Sequence, residues 1–130
     1  MASIFSKIVS GEIPCYKIAE DQNFFAFLDI SPLAKGHTLV VPKIETDYIF
    51  DMDDIALAGL IVFAKKVAIS IKKVIPCNRI GVTVIGLEVA HAHIHLIPIH
   101  SLSDMDFKSP KLKLEQSELA QIAEQIRANF

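Results

Sequence analysis

Apolar residues follow a helical period at the two ends and the middle of the chain, with strand-like runs between them. Near the start the helical spacing covers 4–9, and Gly11 predicts the end of a short helix. The polar run 20–23 predicts a turn that joins two strands as a hairpin. Segments rich in β-branched and other apolar residues predict five strands: 15–19, 24–29, 37–41, 79–85 and 91–99.

The longest apolar segment predicts a helix that begins near Asp51–Asp54 and ends before Pro76. Acidic residues at its start and lysines towards its end match the helix dipole. One small sheet does not easily cover the broad apolar surface of this helix, so packing on a second subunit is favoured over burial within one domain. The apolar residues are Leu57, Leu60, Ile61, Ala64, Val67, Ala68 and Ile71.

The remaining pattern predicts a loop over 101–110 and a closing amphipathic helix around 119–126. Strands and helices are mixed without a regular β-α-β alternation. The fold class predicted is therefore α+β, with a mainly antiparallel sheet.

The composition indicates what kind of protein this is and which partners it is expected to lack. A chain of 130 residues with 52% hydrophobic and 22% charged residues indicates a single globular domain, 1–130. The formal net charge of −2 offers no global basic field, so no nucleic-acid partner is expected. Cys15 and Cys77 alone indicate neither a disulfide framework nor a four-ligand zinc site.

No membrane or export segment is expected. The start, Met1–Lys7, lacks the cationic and apolar regions of a secretory signal. The apolar run 55–64 is too short to span a bilayer and is followed by two lysines. A cytoplasmic location is the resulting expectation.

Four of the five histidines lie within 91–100. In a β-strand His91, His93 and His95 would point to one face at about 7 Å spacing, with Ala92 and Ile94 on the other face. Imidazoles near neutral pH act as nucleophiles, proton carriers or metal ligands. This row is therefore the candidate site.

Three interpretations of the row follow from the residues. Buried structural histidines are one, but burying several ionisable rings is costly. A metal site completed by His37 or Glu88 is the second, although ligands about 7 Å apart on a straight strand do not easily converge on one ion. Nucleophilic catalysis fits the spacing better, with His93 attacking phosphorus while His91 and His95 donate to phosphate oxygens.

Three collinear blocks resemble the histidine triad (HIT) family. The segment Gly86–Pro98 resembles the family signature His-φ-His-φ-His-φ-φ, where φ is apolar. The blocks 26–43 and 4–14 are similar to two further family segments. Together the match runs from about 3 to 100, and it leaves the loop and helix of 101–130 outside.

The resemblance implies a HIT-like fold with about five strands, one long helix and two terminal helices, in homodimers with joined sheets. It implies a nucleotide hydrolase or transferase of the Hint-like branch, which needs no cofactor. The substrates implied are purine nucleoside monophosphates linked to an amine or acyl group. Such a linkage is cleaved through a covalent nucleotidyl-histidine intermediate.

By position, the resemblance makes His93 the nucleophile and places His95 on the phosphate. His91 would help hold the triad, His37 would buttress it from the next strand, and Asp29 would accept from the ribose hydroxyls. An apolar slot for the base is implied at five positions: Ile4, Phe5, Ile8, Phe27 and Ile30.

The chain departs from the family pattern at two places. Ser3, Ser6 and Glu45 stand where many bacterial members have zinc ligands, so no structural zinc is expected. Leu87 replaces a glutamine whose amide reaches the phosphate in the family. Glu88 is expected at the nucleotide site, where it either assists a basic leaving group or repels phosphate. Two alternatives to the phosphoramidase remain open: a non-catalytic nucleotide-binding regulator, and a dinucleoside polyphosphate hydrolase.

Overall fold

The structure is a computed structural model that describes residues 2–130. Met1, the first residue of the segment examined for a secretory signal, lies outside the described residues. Three α-helices are present in the described chain: α1 (Ile4–Ser10), α2 (Asp54–Val74) and α3 (Gln116–Ala128). Five strands accompany them: β1 (Lys17–Glu20), β2 (Phe24–Leu28), β3 (Thr38–Pro42), β4 (Arg79–Thr83) and β5 (Ile94–Ile99). None of the helices described is long and apolar enough to cross a membrane.

The five strands form one sheet in the order β1-β2-β3-β5-β4, and every neighbouring pair is antiparallel. The α+β class with an antiparallel sheet is therefore confirmed. The chain runs from β3 through α2 to the edge strand β4. It then returns as β5, which lies between β3 and β4. This insertion pairs Leu39 with His95 and brings His37, just before β3, beside the histidine segment.

The two faces of the sheet carry separate apolar clusters. Alternate side chains such as Val40, Ile94 and Leu96 pack with α2 and α3 in the larger cluster. On the opposite face, Phe5 of α1 packs in a smaller cluster with residues of β2 and β3 such as Leu39. His95 points to this second face, since its strand neighbours Ile94 and Leu96 point to the first.

Local chemistry explains where the elements begin and end. Ser3 caps α1 by accepting from the amide of Ser6, and Gly11 ends it in the left-handed conformation at φ 88°. Asp53 caps α2 in the same way, accepting from the amide of Ala56. In the hairpin turn, the Asp21 carboxylate accepts two backbone N–H groups. The predicted helices and hairpin are confirmed, with ends shifted by a few residues.

The predicted strand 91–99 is wrong at its start, because β5 begins at Ile94. The ladder ends at the Val40–Ile94 pair. Beyond it the opposing Pro42 has no N–H to donate, and the Ala92 amide donates to the Thr46 carbonyl at 2.6 Å instead. The predicted strand 79–85 likewise ends early, at Thr83, which pairs with His95 near the start of β5.

The expected row of rings about 7 Å apart is also wrong. His93 and His95 have ring centroids 4.9 Å apart, in an edge-to-face arrangement. His91 lies before the strand and its ring is fully buried. The three imidazoles therefore occupy different environments and are not equivalent members of a row.

Gly36 and Gly11 have nearly the same positive φ but different surroundings, so substitutions there distinguish the cost of backbone strain from the cost of overpacking. A methyl group on Gly36 (φ +90°) would lie 2.8 Å from Ile75 Cγ1, whereas one on Gly11 (φ +88°) would meet nothing within 4 Å. Gly36→Ala should therefore cost about 2–5 kcal/mol and Gly11→Ala about 1–2 kcal/mol in the free energy of unfolding. Urea denaturation of both variants tests this, and equal losses would contradict the packing argument.

Candidate active site

A cavity of about 380 Å³ opens on the α1 face of the sheet. Its floor is formed by the ends of β2, β3 and β5, and its walls by the loop before His91 and the segment after β5. The residues that line it are Phe5, Asp29, Ser31, Leu39, Ile85, Gly86, Leu87, Glu88, Val89, His93, His95, Phe107 and Lys111.

His37 and His95 form a proton relay with defined tautomers. The Leu33 amide donates to His37 Nδ1 at 3.0 Å, so the neutral His37 ring carries its proton on Nε2. That nitrogen lies 3.0 Å from His95 Nδ1, which must accept. His95 therefore carries its own proton on Nε2, the nitrogen left free for a ligand.

Both rings of the relay are uncharged near neutral pH. Burial, together with the nearby His95, Lys111 and His93, lowers the pKa of His37 from 6.5 to about 3. Burial and His93 likewise lower the pKa of His95 to about 4. A neutral His95 is a hydrogen-bond donor to an oxyanion without being a strong acid.

His93 has the opposite tautomer. Its Nδ1 donates to the backbone carbonyl of His91 at 2.8 Å, and in the neutral ring this leaves the Nε2 lone pair unprotonated. Burial lowers its pKa from the ordinary value of 6.5, against the opposing effect of the His91 carbonyl. A neutral imidazole with a fixed Nδ1–H is the form that acts as a nucleophile.

His91 serves as an anchor, since it is fully buried and does not line the cavity. Its Nε2 donates to the Pro42 carbonyl at 2.7 Å, and in the neutral ring its Nδ1 accepts from Ser3 Oγ at 2.8 Å. The ring is thereby held between β3 and α1. The carbonyl that orients His93 belongs to this anchored residue.

A hydrogen-bonded cluster of Ser3, Ser6 and Glu45 supports the anchor. Glu45 Oε1 accepts from the Ser3 amide and from Ser6 Oγ, each at 2.7 Å, and lies 4.0 Å from His91 Nδ1. The Ser3 amide is the main reason that the pKa of Glu45 falls from 4.5 to about 2. These are the three positions that depart from the zinc-ligand pattern, and here they bond to one another.

Asp29 is the acidic group nearest the relay. One carboxylate oxygen accepts from the Ser31 amide at 2.8 Å, and the other lies 3.7 Å from His37 Nε2. Burial raises the pKa of Asp29 above its ordinary 3.8. The carboxyl group lines the cavity and so is placed to accept from a ligand hydroxyl.

Asp29, His37 and His95 also form a group whose potential metal-ligand atoms lie within 4.8 Å of one another. The Leu33 amide, however, occupies Nδ1 of His37, and the proton on Nε2 already binds His95. The group therefore fits a hydrogen-bond relay better than a metal site. Within residues 2–130 the alternative metal-binding set of His91, His93 and His95 forms no such group.

Comparison with known proteins identifies the family in which these histidines occur. Residues 10–102 match the sequence model of the HIT domain. The chain belongs to the HIT family. The resemblance inferred from the three sequence blocks is thereby confirmed.

Relatives of this HIT protein cover most of its length. It is 36% identical over 135 residues to an uncharacterised HIT-like protein of Borreliella burgdorferi, covering 98% of this chain and 97% of the relative. It is 39% identical over 102 residues to an adenosine 5′-monophosphoramidase of Schizosaccharomyces pombe, covering 75% and 74% respectively. The crystal structure of a HIT-like protein from Bartonella henselae, involved in cell-cycle regulation, superimposes with a TM-score of 0.86 at 32% identity, covering 98% and 96%.

Only one of the residues predicted to form the base slot lines the cavity. Of the five apolar residues, all described by the structure, Phe5 lines it and the other four do not. Ile4 and Ile30 are exposed at 49% and 67%, while Ile8 and Phe27 pack in the smaller apolar cluster. The base-binding roles of these residues remain predictions.

Several lining residues were not identified from the sequence. Leu39 follows from strand alternation, because it pairs with His95 in the ladder. Phe107 and Lys111 come from the predicted loop and the segment after it, where no periodicity indicates a site. The Phe107 ring nevertheless packs 4.8 Å from His95 and 6.2 Å from His37, measured between ring centroids.

The depressed pKa values of the imidazoles make stability depend on pH. Below pH 6.5 these two histidines become protonated in the unfolded chain. In the folded protein they become protonated only near their pKa values, about 3 for His37 and about 4 for His95. The free energy of unfolding therefore falls as the pH falls. Each ring contributes up to about 1.4 kcal/mol per pH unit. His37→Gln should therefore flatten the fall in unfolding free energy between pH 6.5 and 5.

Urea denaturation across that pH range measures the slope. The matched control is His100→Gln, an exposed histidine outside the cavity, which should keep the wild-type slope. An unchanged slope in His37→Gln would show that the buried relay does not set the acid sensitivity.

Proposed function

We propose that this HIT protein hydrolyses phosphoramidates of purine nucleoside monophosphates. The observation that carries the proposal is the hydrogen bond from His93 Nδ1 to the His91 carbonyl, which leaves an unprotonated Nε2 at the cavity. His95 Nε2–H lies beside it as a donor, because His37 supplies the proton to His95 Nδ1. A nucleophile and an oxyanion donor are thus adjacent.

The reaction takes two displacements. His93 Nε2 attacks the α-phosphorus, a P–N bond to His93 forms, and the original P–N bond breaks. The amine leaves with the bonding electron pair and takes up a proton from solvent. Water then attacks phosphorus and releases a proton to solvent, the bond to His93 breaks, and the monophosphate leaves with the imidazole restored to its neutral form.

His95 stabilises both transition states through the donor that its relay provides. As charge develops on a non-bridging phosphate oxygen, the Nε2–H of His95 donates to it. Burial of the His37–His95 pair keeps competing water away and strengthens this hydrogen bond. The Phe107 ring, packed on both imidazoles, supports that exclusion.

The rest of the cavity supports a nucleotide as the substrate. Asp29 provides an acceptor for ribose hydroxyls, and Phe5, Leu39 and Val89 provide apolar surface for a base. The homologous Schizosaccharomyces pombe protein is an adenosine 5′-monophosphoramidase, which favours a purine and a P–N bond. Together these features support the Hint-like assignment.

His93→Ala should lower turnover of adenosine 5′-phosphoramidate by at least about 10³-fold, because it removes the nucleophile. AMP binding should persist, since the remaining walls of the cavity are kept. Steady-state assays and calorimetric titration with AMP measure the two effects. His100→Ala, which changes an exposed histidine, is the matched control.

Trapping of a nucleotidyl-enzyme with labelled substrate separates the candidate functions. Label recovered on His93 supports the proposal, and wild-type turnover by His93→Ala would refute the nucleophile. AMP binding without turnover would favour the regulatory alternative. Faster cleavage of diadenosine polyphosphates than of phosphoramidates would favour the polyphosphate hydrolase.

We also propose that two copies associate through β4 and α2. The edge strand β4 has an open hydrogen-bonding side, and Val82 on it is 53% exposed. On α2 three large apolar residues, Ile61, Val62 and Ile69, are each about half exposed. A second subunit that covers both elements would bury this apolar surface and extend the sheet.

Val82→Lys should convert the dimer to a monomer, because a charged side chain would then lie in the interface of the open edge strand. Size-exclusion chromatography with light scattering measures the mass. Ile44→Lys, at an exposed apolar residue that follows β3, a strand separated from β4 by β5, should leave the mass at twice that of one chain. Wild-type protein that runs as a monomer at micromolar concentration would contradict the proposal.

A further inference from the structure

The cavity contains several acidic and uncharged groups but a single ammonium group. Asp29 and Glu88 contribute carboxyl groups to its lining. Among the described residues that line it, Lys111 is the only lysine or arginine. A ligand that carries negative charge therefore meets the ammonium of one lysine side chain.

The histidines do not supply the missing charge. Their rings are buried, and the Leu33 amide that donates to His37 Nδ1 requires a neutral His37 ring. Burial lowers the pKa of the cavity imidazoles His93 and His95. Near neutral pH the nucleophile and its neighbour thus provide a lone pair and a donor, but no net positive charge.

Lys111 is held at the cavity by the backbone of its own segment. Its ammonium donates to the Phe107 carbonyl at 2.6 Å and to the Ser109 carbonyl at 3.2 Å. Those two bonds leave one N–H of the ammonium available. The segment is tied to the loop after β2, where the Leu112 amide donates to the Pro32 carbonyl at 2.8 Å.

The same segment brings Lys111 to the cavity that holds the reacting groups. Phe107, whose carbonyl it binds, packs its ring 4.8 Å from the ring of His95. Within residues 2–130 no carboxylate lies within 4.0 Å of the Lys111 ammonium, and the Lys111 charge acts on the Asp29 carboxyl only from beyond that distance. A cation that is fixed by carbonyls and lines the same cavity as the oxyanion donor fits the site of a phosphate.

We propose that Lys111 binds the charged phosphate of the nucleotide and so supplies the electrostatic attraction that the neutral histidines lack. The inference rests on the proposed function, because it takes the ligand to be a nucleotide. It also accounts for Leu87, an apolar residue at a position where an amide was expected to reach the phosphate. A phosphate contact from the opposite wall makes that amide dispensable.

Lys111→Met tests the inference through binding of AMP and adenosine, two ligands that differ in the phosphate. Loss of a hydrogen bond to a charged group should weaken AMP binding by about 10- to 100-fold. Adenosine binding should change by less than about twofold. Lys111→Arg should retain most of the AMP affinity because it retains the charge.

Lys108→Met is the matched control, since it removes an equal charge from an exposed residue of the same segment that does not line the cavity. It should bind both ligands as the wild type does. Titration calorimetry gives the affinities, and thermal denaturation shows whether each variant folds. Equal weakening of AMP and adenosine in Lys111→Met would assign Lys111 a structural role and overturn the inference.

The same titrations distinguish failure of this inference from failure of the proposed function. One outcome is that the wild-type protein binds AMP in a Lys111-dependent way but does not cleave adenosine phosphoramidate. That result would refute the proposed hydrolase function and support the proposed contact between Lys111 and the phosphate. Active wild-type protein whose Lys111→Met variant binds AMP normally would refute the contact alone. Wild-type protein that binds AMP no more tightly than adenosine would also overturn it.

Discussion

The hydrogen bond from His93 Nδ1 to the carbonyl of His91 is the interaction on which the rest of the site depends. An imidazole has two tautomers, and only the one protonated on Nδ1 leaves a lone pair on Nε2. A backbone carbonyl selects it, because a carbonyl accepts and never donates. That carbonyl is held in place by the buried His91 ring, which is fixed between the Pro42 carbonyl and Ser3. The N-terminal helix thus acts on the chemistry through a residue that no ligand touches.

The neutral state of the histidines has a cost that shapes the surrounding structure. Burial removes the charge of His37, His93 and His95, which suits a nucleophile but removes attraction for an anion. A nucleotide site built on uncharged imidazoles therefore needs a cation from another element. The segment after β5 meets this need, since it covers the relay with Phe107 and presents Lys111 at the cavity. Water exclusion and charge supply are thus combined in one stretch of chain.

Much of the fold and part of the site could be predicted from the sequence, because they depend on local patterns. The hairpin, the helix ended by Gly11 and the adjacency of His37 to the histidine segment follow from periodicity and from the family blocks. The contribution of Lys111 could not be predicted, because it depends on where an aperiodic segment folds back. The bonding of Glu45 to Ser3 and Ser6 was also beyond prediction, since it joins positions about 40 residues apart through side-chain geometry alone.

The predicted strand 91–99 is wrong at its start, and the geometry of the histidines depends on that difference. Had the ladder continued to His91, the His93 and His95 rings would stand about 7 Å apart, with the His91 carbonyl committed to strand geometry. Pro42 ends the pairing at Ile94, since it offers no N–H to the opposing chain. The backbone before Ile94 is then free to turn its His91 carbonyl towards the His93 ring and to bring that ring within 4.9 Å of His95. A proline in the neighbouring strand, outside the histidine motif, is therefore a condition for the arrangement of nucleophile and donor.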